Sequence, residues 1–188
     1  GFTNKSIWEK YSVNAPLFGF MYSTTVLSKE QLFSPEKFLE PKFEPEIFFK
    51  LRKKPHSEMS DMDLISCCES FGIGVELVQS IYEGWIFKLP DTVSGFGLHG
   101  QYKILEEREI PSDENNTVAI IDELKRFNLT LRKNNNILER GKSSNILEKS
   151  PLDALRSYIE FCEKNSDWLV LNGPITTGTI TDAYDINK

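Results

Sequence analysis

The chain has 188 residues, with 22 Lys+Arg against 28 Asp+Glu and a formal net charge of −6. That length fits one domain, and 39% hydrophobic residues with thirteen phenylalanines argue for a real core and against disorder. The acidic balance argues against a nucleic-acid partner, which needs clustered Lys/Arg, and no apolar run approaches the roughly 18 residues of a membrane span.

In chain order, Phe18 to Val26 is aromatic and β-branched and reads as a strand. Ser34-Pro35-Glu36 marks a loop, and Lys42 to Leu51 reads as a second strand anchored by Phe43, Ile47, Phe48 and Phe49. After a turn at Lys54-Pro55-His56-Ser57, Asp61 to Cys68 reads as a helix and Gly72 to Val78 as a strand. The polar run Pro111 to Asn116 predicts a long surface connection, followed by a helix over Ala119 to Arg126. Phe127 to Leu131 alternates, Asn134-Asn135-Asn136 turns, and Ile137 to Glu139 returns: a hairpin. Ser150-Pro151-Leu152-Asp153 opens a helix whose Leu155, Tyr158, Ile159 and Cys162 share one face. A late strand, Val170 to Thr177, is interrupted by Gly173-Pro174. The pattern predicts an α+β or mostly-β domain with peripheral helices.

The first thirty residues mix charge and polar groups and show no secretory signal, so a cytoplasmic location is expected. The three cysteines, Cys67, Cys68 and Cys162, have no metal-site spacing and read as reduced, core thiols.

Chemistry centres on Glu44 and Glu46. Residues two apart on a strand share a face, so two carboxylates stand side by side while Phe43 and Ile47 point the other way. Glu76 lies within the apolar strand Gly72 to Val78 and needs a partner or water. Three carboxylates suit a hard divalent ion, Mg²⁺ or Mn²⁺; with only His56 and His99 as histidines, nothing suggests zinc. Spacing alone equally fits solvated strand faces. His99, between Leu98 and Gly100, is a candidate proton shuttle or a packed core histidine.

The order Gly1-Phe2-Thr3-Asn4-Lys5, Pro41-x-x-Glu44-x-Glu46, Val75 to Ser80 and Asp91-Thr92-Val93 is one line of motifs. It continues through Phe96-Gly97-Leu98-His99-Gly100, Leu131 to Asn134, Ser150 to Leu155 and Thr177 to Ala183. Together they resemble the fumarylacetoacetate hydrolase superfamily, and within it the 2-keto-4-pentenoate hydratase and 4-oxalocrotonate decarboxylase branch. The resemblance implies a mixed β-barrel or roll with peripheral helices. It implies that Glu44, Glu46 and Glu76 hold Mg²⁺ or Mn²⁺, which chelates a small 2-oxo carboxylate and stabilises its enolate. Asp91 falls at a site-facing aspartate, a candidate acid/base; a cap of the following turn is the other reading. Thr179 falls in the loop that meets the substrate carboxylate.

The expected activity is hydration of a 2-hydroxy-alkadienoate through its 2-oxo tautomer. Acylpyruvate or fumarylacetoacetate-type hydrolysis, 2-oxo acid decarboxylation or tautomerisation on the same site, and a catalytically silent member are the alternatives. Homo-oligomerisation is expected as well. The family lysine would stand two residues before Gly1, Ser23 and Thr24 occupy a region where relatives often carry Asp, and Gly173-Pro174 replaces a usual Gly-Asp. The chain is therefore expected to be a single catalytic-type domain, residues 1–188, lacking its N- and C-terminal ends.

Overall fold

The structure is a computed structural model that describes residues 1–186. A short helix α1 (Trp8–Tyr11) leads by an extended segment to β1 (Val26–Leu27), then come β2 (Lys42–Leu51), α2 (Asp61–Ser66), β3 (Cys68–Val78) and α3 (Leu89–Ser94). β4 (His99–Glu109), α4 (Glu114–Arg126), the hairpin β5 (Asn128–Lys133) and β6 (Asn136–Lys142), α5 (Pro151–Lys164), β7 (Pro174–Thr179) and β8 (Tyr184–Asp185) follow. The main sheet runs β1-β4-β3-β2-β7, with β8 also paired to β2; β5 and β6 form their own sheet. The α+β class holds. The expected barrel or roll is not seen as a closed barrel among the described residues, because the main sheet's strand path ends at β1 on one side and at β7 on the other.

β2 is the axis of the sheet, hydrogen-bonded on both sides and buried on both faces. Its odd-numbered residues Ile47, Phe49 and Leu51 enter the main core with Phe71 of β3, Leu64 of α2, Leu124 of α4 and Leu155 and Ile159 of α5. Its even-numbered face carries Glu44, Glu46 and Phe48. Pro45 has no N–H to give a ladder, yet it sits mid-strand. It falls between the stretch paired with β8 (Lys42, Phe43) and the stretch paired with β7 (from Glu46), and its carbonyl still accepts the Ile180 N–H at 3.0 Å.

Several elements differ from expectation. Only Val26 and Leu27 of the strand expected from Phe18 to Val26 form a ladder. Phe18 and Phe20 instead stack on Phe161 and Trp168, at 4.7 and 4.2 Å between ring centroids, which uses their area without strand pairing. The polar run Pro111 to Asn116 is a helix start, not a long connection: the Asp113 side chain accepts the Asn116 N–H at 2.8 Å and α4 begins at Glu114. α2 stops at Ser66, β3 extends back to Cys68, and β7 begins only at Pro174. β4 carries no strand signal in the sequence, because its outer half, Leu105 to Glu109, is exposed and mostly charged. The hairpin and α5 appear as expected. All three cysteines are buried and free, and burial pushes the Cys68 thiol up to about 12. Among the described residues no helix is long and apolar enough to cross a membrane.

Candidate metal centre

The β2–β3 register sets Glu44 directly opposite Glu76, with Glu46 the next residue on that face of β2. One carboxylate oxygen from each of Glu44, Glu46 and Glu76 lies within 4.8 Å of the others. Glu46 is 1% exposed, while Glu44 and Glu76 keep partial contact with a cavity of about 600 Å³. Glu46 is therefore not on a solvated strand face, while Glu44 and Glu76 face the cavity.

Three inward carboxylates are electrostatically expensive. Burial, and then the Glu76 charge, pushes Glu44 up to about 8. Burial, followed by Glu76 and Glu44, holds Glu46 well above the ordinary carboxylate range, although an N–H from Gly178 works in the opposite direction. An acid with a higher pKa folded than unfolded keeps protons that the unfolded chain has released, so rising pH favours unfolding between the ordinary value of 4.5 and about 8. With divalent ions removed by chelator, the thermal midpoint should fall from about pH 5.5 to about pH 8. A flat profile would mean that the three acids are ionised and solvated.

Gly178 explains how Glu46 is held. Between Glu46 and Phe48 lies one residue, whereas between their partners Thr179 and Thr176 lie two, so β7 bulges here. The bulge turns the Gly178 N–H out of the ladder and onto Glu46 Oε2 at 2.9 Å. Gly178 has φ +85°, and a Cβ there would lie 2.0 Å from Thr3 Oγ1, so only glycine fits. Thr179, next in the chain, lines the cavity and donates its hydroxyl to the Thr181 carbonyl at 2.9 Å.

His99 begins β4 and also lines the cavity. Its Nδ1 lies 2.6 Å from Glu76 Oε1 and its Nε2 lies 2.8 Å from Thr25 Oγ1. The Thr25 hydroxyl donates its only hydrogen to the Tyr22 carbonyl at 2.8 Å, so it accepts from His99 Nε2. The short Nδ1 contact makes an imidazole–carboxylate pair with Glu76. His99 is thus a partner of Glu76, not a packed core histidine.

Asp91 stands apart. Its carboxylate accepts the Lys88 N–H at 2.8 Å at the start of α3, the cap geometry, and it is not among the cavity's lining residues. The structure brings Glu44, Glu46, Glu76, His99 and Thr179 around one cavity and leaves Asp91 outside it.

Sequence reasoning missed Thr25, the Gly178 N–H and Tyr102. Tyr102 pairs with Glu76 across β3–β4 and is fully buried. Burial, with Glu46 and then Glu76, holds its phenol well above the ordinary range, so it stays protonated. The aromatic wall was also missed: Phe2, Tyr11, Trp85, Phe87 and Phe96 line the cavity, and Tyr11 stacks on Phe87 at 4.8 Å. No periodicity signals these contacts, because they join segments far apart in the chain.

Similar proteins share this arrangement of chain. The sequence is 26% identical over 155 residues to 2-keto-4-pentenoate hydratase 1 of Dechloromonas aromatica (strain RCB), covering 82% of this chain and 56% of the hydratase. It is 20% identical over 183 residues to a 4-oxalocrotonate decarboxylase of Pseudomonas sp, covering 97% of this chain and 67% of the decarboxylase. The structure matches 4-oxalocrotonate decarboxylase from Pseudomonas putida G7 complexed with magnesium and adipate, with a TM-score of 0.82, 19% identity, and coverage of 98% of this chain and 67% of that one. The same decarboxylase complexed with calcium and acetate matches with a TM-score of 0.80 at 18% identity, covering 98% of this chain and 66% of that one. No family model matches the chain. The chain spans little more than half the length of the hydratase and about two thirds of the decarboxylases.

Proposed function

Because the chain is similar in sequence and fold to the hydratase and decarboxylase branch of the fumarylacetoacetate hydrolase superfamily, we propose that it is a divalent-metal-dependent lyase. Its substrate in this reading is a small 2-oxo carboxylate, and its reaction the hydration of a 2-hydroxy-alkadienoate through the 2-oxo tautomer. The observation that carries the reading is the triad Glu44, Glu46 and Glu76, gathered within 4.8 Å in the lining of one cavity. An all-oxygen set without His or Cys fits a hard ion, Mg²⁺ or Mn²⁺. Such an ion, when bound, supplies a Lewis acid for the negative charge that builds on the 2-oxo oxygen during enolisation.

The protein's own groups supply the rest. The Gly178 N–H fixes the Glu46 carboxylate, and His99 Nδ1 fixes Glu76 beside the cavity. We assign the acid/base role to His99 and treat Asp91 as a helix cap, since Asp91 lies outside the cavity lining. Thr179, beside the bulge, is the candidate contact for the substrate carboxylate. Tyr11 and Phe87, stacked at 4.8 Å, give the cavity an apolar wall. Self-association belongs to the same reading: Ile81, Ile86, Val93 and Phe96 stand exposed.

Hydration, decarboxylation and hydrolysis share enolisation as a step, so the first test addresses that step. Calorimetry with Mg²⁺ and Mn²⁺ should show binding, and proton NMR in D₂O should show ion-dependent exchange of the C3 hydrogens of pyruvate or oxaloacetate. Absence of binding would sink the metal reading. Binding without exchange, and without turnover of 2-hydroxypenta-2,4-dienoate, would identify a catalytically silent member.

A further inference from the structure

Tyr102 is the only described residue with a buried side-chain polar atom that lacks a hydrogen-bond partner. The residue is 0% exposed, so water does not satisfy the hydroxyl from the surface. A buried hydroxyl left unpaired is costly, and a phenylalanine would fill the same space without that cost.

Its placement explains what the hydroxyl faces. Tyr102 and Glu76 are directly paired across β3–β4, so both side chains rise from the same face of the sheet. From there the ring crosses β3 above Gly74: a Cβ built on Gly74 would lie 2.1 Å from the Tyr102 hydroxyl and 2.3 Å from the adjoining ring carbon. Gly74 is itself paired with Glu46 on β2. The phenol therefore reaches from β4 across the glycine gap toward β2, and its ring meets Phe48, two residues beyond Glu46, edge-on at 6.5 Å and 81°. The end of the ring that carries the hydroxyl points at the strand that supplies two of the three carboxylates.

We propose that Tyr102 is a positioning residue of the carboxylate centre, whose hydroxyl donates to Glu46 when the triad holds a divalent ion. This rests on the metal reading above. Glu46 is already held at Oε2 by Gly178, and a second donor from the opposite side fixes the rotation of the carboxylate and so the oxygen it turns toward the ion. Gly74 is part of the same device, since any side chain there would occupy the path of the phenol.

Tyr102→Phe keeps the ring, the Phe48 contact and the Gly74 clearance, and removes one oxygen. In chelator-treated protein the thermal midpoint should stay level or rise, because an unpaired buried hydroxyl is gone. Mn²⁺ affinity, read by calorimetry, should fall about 10- to 100-fold, the scale of lost outer-shell contacts. A purely structural tyrosine would leave Mn²⁺ affinity unchanged, and that result overturns the proposal while native binding keeps the metal reading intact. No Mn²⁺ binding by the native protein would instead remove both. Should the variant fail to fold, the native protein still decides: adding Mg²⁺ should red-shift the near-ultraviolet absorption of tyrosine as a phenol donates to a carboxylate. No shift overturns the proposal.

Discussion

Glu46→Gln should lower Mg²⁺ or Mn²⁺ affinity by about 100-fold or more and abolish ion-dependent exchange of 2-oxo acid hydrogens. The substitution keeps shape and volume but removes the charge of the most deeply buried of the three acids. Its second effect has the opposite sign. Native Glu46 carries a raised pKa from burial, Glu76 and Glu44, so the chelator-treated native protein loses stability as pH rises above the ordinary carboxylate value. Glutamine does not titrate, and the chelator-treated variant should therefore melt higher than native protein at about pH 8. Calorimetry and thermal melts on the same samples read both effects. A variant that binds the ion as native protein does would place the metal elsewhere.

Phe48→Ala should cost about 3–5 kcal/mol of stability, the usual range for deleting a buried phenylalanine ring. Phe48 is 0% exposed and supports the edge of Tyr102 on the face that carries the carboxylates. Against a typical total of about 5–15 kcal/mol, that loss leaves a marginal protein. The thermal midpoint should drop by about 10 °C or more for a chain of this size. Denaturant melts check the value; a cost below about 1 kcal/mol would mean that this face of the sheet collapses around the missing ring. Divalent ions should restore part of the loss if the triad binds them, since a ligand that binds only the folded state stabilises it by mass action.

Local patterns in the chain go far for some elements and not for others. β2 is legible because ten residues carry apolar anchors, and α5 because Ser150-Pro151 caps a helical stripe. Phe18 to Val26 misleads because aromatic residues have high strand propensity wherever they stand. There the rings found partners in α5 and at Trp168, and of that segment only Val26 joined a ladder. β4 is illegible for the converse reason: its charged outer half makes strand pairing without an apolar face. The start of α4 hides in a run of polar residues because a cap is recognised by one hydrogen bond, which the sequence does not show.

By itself the sequence determined the α+β class, the shared face of Glu44 and Glu46, and Glu76 as an acid inside an apolar strand. These follow from the two-residue period of strands and the cost of burying charge, both local properties. Only the tertiary structure decided that Glu76 stands opposite Glu44, that His99 and Thr25 form a chain behind it, and that Asp91 lies outside the cavity. Register between strands, the bulge at Gly178 and the reach of Tyr102 across Gly74 depend on contacts between distant segments. Three acids scattered over two strands become one centre because pairing register, which no single segment encodes, lines them up within 4.8 Å.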